Sequence, residues 1–209
     1  MTFFDINNIA FTVLNYPISY VELIGTLFGF ISVYLAARAN ILTWGTGIVN
    51  VVFLFILFFQ IQLYADMFLQ VYFFAVTLYG WYSWKKKPKL NSITSISFNA
   101  KLWTAGIIIS GTFIAGFLFS NIHLYLPNYF AIKAAYPHID SFVMVTSVLA
   151  TILLAQKKVE TWYLWIIVDV VCVFLFFKKG VVFLALEYLI FLGMAVNGLF
   201  HWKKQINNG

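Results

Sequence analysis

The stretch Thr161–Asp169, TWYLWIIVD, sets two tryptophans and a carboxylate inside an apolar run that continues to Phe177. On an α-helix Trp162, Trp165 and Asp169 are spaced i, i+3, i+7 and share one face. At helical rise the acid lies roughly 12 Å in, near the middle of a hydrocarbon layer about 30 Å thick. A charge at that depth costs at least about 2.5 kcal/mol, which makes the acid a functional candidate by default. This face predicts a membrane protein whose other helices enclose it.

Composition agrees. The chain has 209 residues, 63% hydrophobic and 10% charged, where a soluble domain is about half apolar and a quarter charged. The net charge of +6 sits in short loops and forms no basic helix face, so it bears on topology and not on nucleic acid. One cysteine, Cys172, excludes an internal disulfide and a cysteine metal cluster; a packing role is expected. His123, His138 and His201 lack metal spacing. No phosphate-cradling glycine loop is present, and nothing arranges a hydrolytic triad. Neither an enzyme nor a cofactor is expected. Residues 1–19 carry Asp5, Asn7 and Asn8 but no cationic start, so they read as a tail or an interfacial helix and not as a cleaved signal.

Seven apolar spans follow: 20–37, 41–59, 63–84, 102–122, 139–156, 161–178 and 181–202, each of about the length a helix needs to cross. Pro88, Pro127 and Pro137 and several lysine-bearing breaks separate them. With seven spans, one side holds Arg38, Lys85, Lys86, Lys87, Lys89, Lys101, Lys157, Lys158, Lys203 and Lys204, which is 10 of the 13 basic residues. Loops rich in Lys and Arg stay cytoplasmic. The expected topology has the amino terminus outside and the carboxyl terminus inside.

The chain also repeats itself. Shifted by 118 residues without a gap, Thr43-Trp44 falls on Thr161-Trp162, Gly80 on Gly198, and Trp84-Lys85-Lys86 on Trp202-Lys203-Lys204. Leu57-Phe58-Phe59 falls on Leu175-Phe176-Phe177, and Glu22 opposes Asp140. The unit is three helices, 20–86 and 138–204, with 87–137 supplying the linking helix and its loops and 205–209 a tail. Three spans plus one linker bring the second unit in with the orientation of the first, a parallel repeat. Transporters built from repeats hold substrate near the midplane between them.

Polar groups at mid-depth should turn inward, away from lipid. They are Asn50 on the second span, Asp66, Gln70 and Thr77 on the third, Trp162, Trp165 and Asp169 on the sixth, and Glu187 and Asn197 on the seventh. Asn50, Gln70 and Asn197 serve equally as inter-helix contacts or as ligand contacts. Asp169 and Glu187 read as a substrate pathway or a proton-linked pair. Glu22 and Asp140, near span ends, read as structural. No Lys or Arg lies well inside a span, so the interior suits a neutral or cationic solute and not a phosphate. An indole face beside a carboxylate favours an aromatic cation, by up to about 2 kcal/mol when desolvated. The competing reading of the tryptophans is an interfacial belt, which covers Trp81, Trp84 and Trp202, and extends to Trp44 and Trp162. Gly25, Gly29, Gly45 and Gly47 read as close-packing sites.

The run Asn50…Phe59-Gln60-Ile61-Gln62-Leu63-Tyr64-Ala65…Leu69-Gln70…Tyr79-Gly80-Trp81…Trp84 resembles the Pnu family of vitamin transporters. The second half agrees, with Trp162, Trp165 and Asp169 matching its W-x-x-W-x-x-x-[N/D] motif, followed by Leu186-Glu187-Tyr188 and Asn197-Gly198. The resemblance implies two three-helix bundles around a linking helix, similar to a SWEET sugar transporter with another helix order. It implies a bacterial inner-membrane homotrimer and facilitated diffusion of an unphosphorylated vitamin, trapped by a cytoplasmic kinase. The motif tryptophans and Asp169, with Asn50 and Gln70, are then the substrate site; Trp44, Asp66, Thr77 and Tyr188 are secondary candidates. Among the family's branches, nicotinamide riboside is favoured and thiamine is the alternative. A proton-coupled carrier and a non-transporting receptor or scaffold are the competing classes.

Overall fold

The computed structural model describes residues 4–13, 16–61, 64–86, 92–127, 135–178, 180 and 182–208, and of 64–66 and 68 the helical backbone alone. Seven helices dominate: α1 (Tyr20–Ala37), α2 (Leu42–Gln60), α3 (Tyr64–Lys86), α4 (Phe98–Tyr125), α5 (Pro137–Ala155), α6 (Glu160–Lys178) and α7 (Val182–Asn207). Over the described residues six of them are long and apolar enough to cross a bilayer. The remaining one, α3, carries Gln70 and Thr77 and packs between α2 and α5. Helix starts follow local chemistry. Ser19 Oγ caps α1 by accepting from the Glu22 N–H, Ser97 caps α4 in the same way, and Pro137 opens α5, where a missing N–H costs nothing.

Where a tail or an interfacial helix was expected, the chain forms an antiparallel pair, β1 (Ile9–Val13) and β2 (Tyr16–Ser19). The segments IAFTV and YPIS are rich in β-formers, and Pro17 resists a helix but is tolerated in an edge strand. Pairing also satisfies backbone groups that would otherwise lie unbonded against an apolar surface.

Six helices pack in a closed ring in the order α1, α2, α3, α5, α6, α7, back to α1, while α4 packs against α5. Small residues set the spacing, as expected. Gly25 faces Leu54 and Phe53, Gly29 faces the Asn50 amide, and Gly47 faces Ser32 and Thr77, so backbones approach closely. Cys172 is buried, in keeping with packing.

The α1–α2 and α5–α6 turns have the same construction, 118 residues apart. Ala39 and Lys157 both take a left-handed φ, 51° and 53°, a conformation that costs an L-residue about 1–2 kcal/mol. Thr43 Oγ1 donates to the Ser32 carbonyl and Thr161 Oγ1 to the Ala150 carbonyl, each at 2.8 Å. The backbone bonds Asn40 to Leu35 and Lys158 to Leu153 match as well.

The core is one cluster at the end of the ring where these turns lie, called here the lysine-rich end. It contains Ala36, Ala37, Trp44, Trp84, Ile93, Ala155, Val159, Trp162, Ala195 and Trp202. This overturns the belt reading for four tryptophans: Trp44, Trp84, Trp162 and Trp202 are at most 4% exposed. Of the five tryptophans read as a belt, Trp81 alone, 40% exposed, keeps the exposure of an interfacial anchor. Adjacent lysines are no obstacle, because each chain leaves its helix end while the indole turns inward.

Candidate functional site

Asp169 lies at the centre of α6, nine positions after Glu160, and is 3% exposed. Among the described residues no cation is paired with it; the one salt bridge among them, Lys101–Glu160 at 3.1 Å, belongs to the lysine-rich end. Cys172 of α6 and Tyr188 and Glu187 of α7 lie around it. Cys172, one turn on, is hydrogen-bonded to Tyr188 of α7, which lies within electrostatic reach of both Asp169 and Glu187. The Tyr188 ring stacks on Phe176 at 5.4 Å and tilts against Phe191, which in turn meets Phe30 of α1. Glu187 is hydrogen-bonded to Thr26 of α1 and lies within electrostatic reach of Glu22.

From the other side of the ring, Asn50 of α2 donates its amide N–H to the Gly25 carbonyl at 2.8 Å. Its side-chain nitrogen therefore joins two helices, while its oxygen is an acceptor by chemistry. Gln70 of α3 is 6% exposed and sits 118 residues before Tyr188, at the equivalent depth. Thr77 is buried against Gly47. These residues give carboxylates, amide oxygens and ring faces, and no intramembrane cation.

Other candidates lie elsewhere. Trp162 is 1% exposed, rests on Gly198 and meets Trp202 edge-on at 5.6 Å. Trp44 rests on Gly80 and meets Trp84 edge-on at 5.2 Å. Both belong to the cluster at the lysine-rich end, and Trp162 is two turns before Asp169 on α6. Trp165 is half-buried and packs on the rim of that cluster, between it and Asp169. Asn197 is exposed on α7 while its neighbours Ala195 and Gly198 turn inward, which differs from the inward position expected of it. The side chain of Asp66 lies outside the described residues.

At the opposite end the strands reach the ring through Tyr16. Its hydroxyl donates to Glu22 Oε1 at 2.9 Å and its ring stacks on Phe183 of α7 at 5.3 Å. Burial and the Glu22 carboxylate push the phenol well above its usual range, so it stays a donor. The Gln60 amide donates to the Phe4 carbonyl and accepts from the Ile6 N–H. Sequence reasoning missed Tyr16, Thr26 and Cys172 as neighbours of the acids. Thr26 carried a signal: it is the only hydroxyl between Glu22 and Ser32, four residues after the acid.

Comparison with known proteins gives a consistent picture. A family model described as nicotinamide mononucleotide transporter matches residues 19–204. The nicotinamide riboside transporter PnuC of Escherichia coli is 33% identical, over 97% of this chain and 94% of its own. The riboflavin/roseoflavin transporter RibM of Streptomyces davaonensis is 26% identical, over 94% of this chain and 91% of its own. A crystal structure of the vitamin B3 transporter PnuC superposes with a TM-score of 0.68 at 20% identity, covering 90% of this chain and 83% of that one.

Proposed function

This chain belongs to the nicotinamide mononucleotide transporter family, and on that premise we propose that it carries nicotinamide riboside across a bacterial cytoplasmic membrane by facilitated diffusion. The observation that carries this reading is Asp169: an acid at mid-helix, 3% exposed, with Glu187 near and no cation beside it among the described residues. A buried acid of this kind needs a partner, and the pyridinium of the riboside is one. Its ribose hydroxyls donate to the oxygens of Asn50 and Gln70, and Trp165 supplies a ring face at the floor of the chamber. Trp162 lies beneath that floor.

The same chemistry separates riboside from mononucleotide. A phosphate gains nothing from a chamber of acids and amides without Lys or Arg. A solute phosphorylated by a kinase after entry is then held inside, and no ion or nucleotide drive is needed. The bundles 20–86 and 138–204 are read as parallel repeats around α4, in the manner of a SWEET transporter; matched turns and hydrogen bonds 118 residues apart support this. The charge of the lysine-rich end supports its lying on the cytoplasmic side. A homotrimer completes the reading, with the exposed apolar flank of α4, Trp103, Ile109 and Phe113, available to lipid or a neighbouring copy.

Equilibrium binding to detergent-purified protein tests the proposal. Nicotinamide riboside binds about tenfold or more tightly than the mononucleotide, a difference of about 1.4 kcal/mol, and more tightly than thiamine or riboflavin. A preference for the mononucleotide would overturn it, and a preference for riboflavin would move the chain towards RibM. In proteoliposomes label equilibrates without a gradient; accumulation above the outside level without a kinase would replace diffusion by proton coupling.

A further inference from the structure

We infer that the four-tryptophan cluster is the gate at the lysine-rich end, and that Trp84 and Trp202 are its two latches. The inference rests on transport as proposed above. The ring has two seams between its halves, α3 against α5 and α7 against α1. Each is closed at this end by an indole that crosses it. Trp84 of α3 donates Nε1–H to the Ala155 carbonyl at the end of α5, and Trp202 of α7 donates to the Ala36 carbonyl at the end of α1, both at 3.1 Å. Those carbonyls lie in last turns, where helical partners run out. The two latches approach to 6.5 Å between ring centroids. Behind each stands a second indole edge-on, Trp44 to Trp84 and Trp162 to Trp202. All six ring helices thus meet in one buried contact on the lysine-rich side of Asp169, and a solute leaving by this end must part it.

The hydrogen bonds suit a contact that opens and closes. Among the described residues Trp44 Nε1 and Trp162 Nε1 are buried without a partner, while Trp84 and Trp202 are paired. Opening wets all four, so two donors lose a carbonyl and the other two gain water. Polar bonding therefore nearly cancels between the two states, and apolar contact between rigid rings is left to hold the gate shut. Lys157 Nζ, 4.4 Å over the Trp84 ring, seats one latch from the outside.

The lone cysteine reports on the gate without further engineering. Cys172 is one turn from Asp169 and 1% exposed, so a cationic, membrane-impermeant methanethiosulfonate reaches it only through an open end. In sealed vesicles of either orientation, W84F/W202F keeps the rings and removes both latching N–H groups. Labelling from the lysine-rich side rises roughly fivefold for each bond lost, and labelling from the opposite side stays as in the wild type. Unchanged labelling, or an equal rise from both sides, would overturn the gate. Should the double variant not fold, W84F and W202F singly decide it in the same way. The readout needs no substrate, so a labelling change without riboside binding defeats the substrate assignment alone.

Discussion

Glycine beneath tryptophan is where the cluster is most exposed to a small perturbation. A methyl group at position 198 would lie 2.7 Å from Cε2 and Cζ2 of Trp162, and one at position 80 would fall closer still to the Trp44 ring. Comfortable carbon contacts begin near about 3.5 Å. Neither indole can swing aside, since Trp44 is 2% and Trp162 1% exposed and each is braced by a second tryptophan. Overpacking a well-filled site costs about 1–3 kcal/mol, while exchanging helical glycine for alanine returns at most about 1 kcal/mol. Gly80→Ala and Gly198→Ala are therefore expected to destabilise by about 1–2 kcal/mol, a factor of 5–30 in the folded ratio. Gly106 and Gly193 have nothing within 4 Å of such a methyl, so alanine there is neutral or mildly stabilising. Unfolding in detergent, followed by tryptophan fluorescence, compares the four variants directly. Trp44→Phe added to Gly80→Ala should recover part of the loss, because the smaller ring relieves the clash that the alanine at 80 creates. If Gly80→Ala and Gly106→Ala unfold together, the indoles do not rest on the glycines and the packing described here is wrong.

Other consequences are checked more simply. Asp169→Asn should weaken riboside binding by about tenfold or more while leaving unfolding unchanged or later, since a buried carboxylate has been neutralised; a scaffold role predicts the reverse, a stability loss without an affinity change. Glu160 accepts from the Ser95 hydroxyl at 2.5 Å and the Ile96 N–H at 3.1 Å, and bonds to a charged acceptor are worth about 1.5–3 kcal/mol. Glu160→Ala should accordingly speed amide exchange at Ile96 by about tenfold or more, with no rise at Ala100, which Ser97 caps. Lys157 has its ammonium pushed below its usual 10.5 by burial. The unfolded chain then binds more protons between the lowered value and 10.5, so stability rises with pH across that window. Lys157→Met should flatten the rise in alkaline unfolding curves, and an unaltered curve would refute the burial.

The seven helices were legible because a span of fixed length is dictated by the bilayer and punctuated by lysine and proline. Predicted 20–37 and observed Tyr20–Ala37 coincide, while α4 starts four residues before 102, at Phe98, because Ser97 caps it there. Asp169 was legible for a related reason: a carboxylate in a greasy helix has few places to go. The tryptophans were not. A lysine next to Trp84 or Trp202 is the local mark of an interfacial anchor, and no local feature says that the indole crosses to a helix 71 or 166 residues away. The repeat held that information in another form. Trp44 with Gly80 and Trp162 with Gly198 recur at one spacing, and a bulky residue paired twice with a residue lacking a side chain implies contact, not coincidence of composition. Asn197 shows the limit of polarity as a guide. Polar character predicts burial only where the helix rotation is known, and the neighbouring Ala195 and Gly198 fix that rotation the other way. In a wall of α-helices lined by small residues, the small residues locate the interior more securely than the polar ones, because close backbone approach admits no alternative whereas an amide can face water at a helix end.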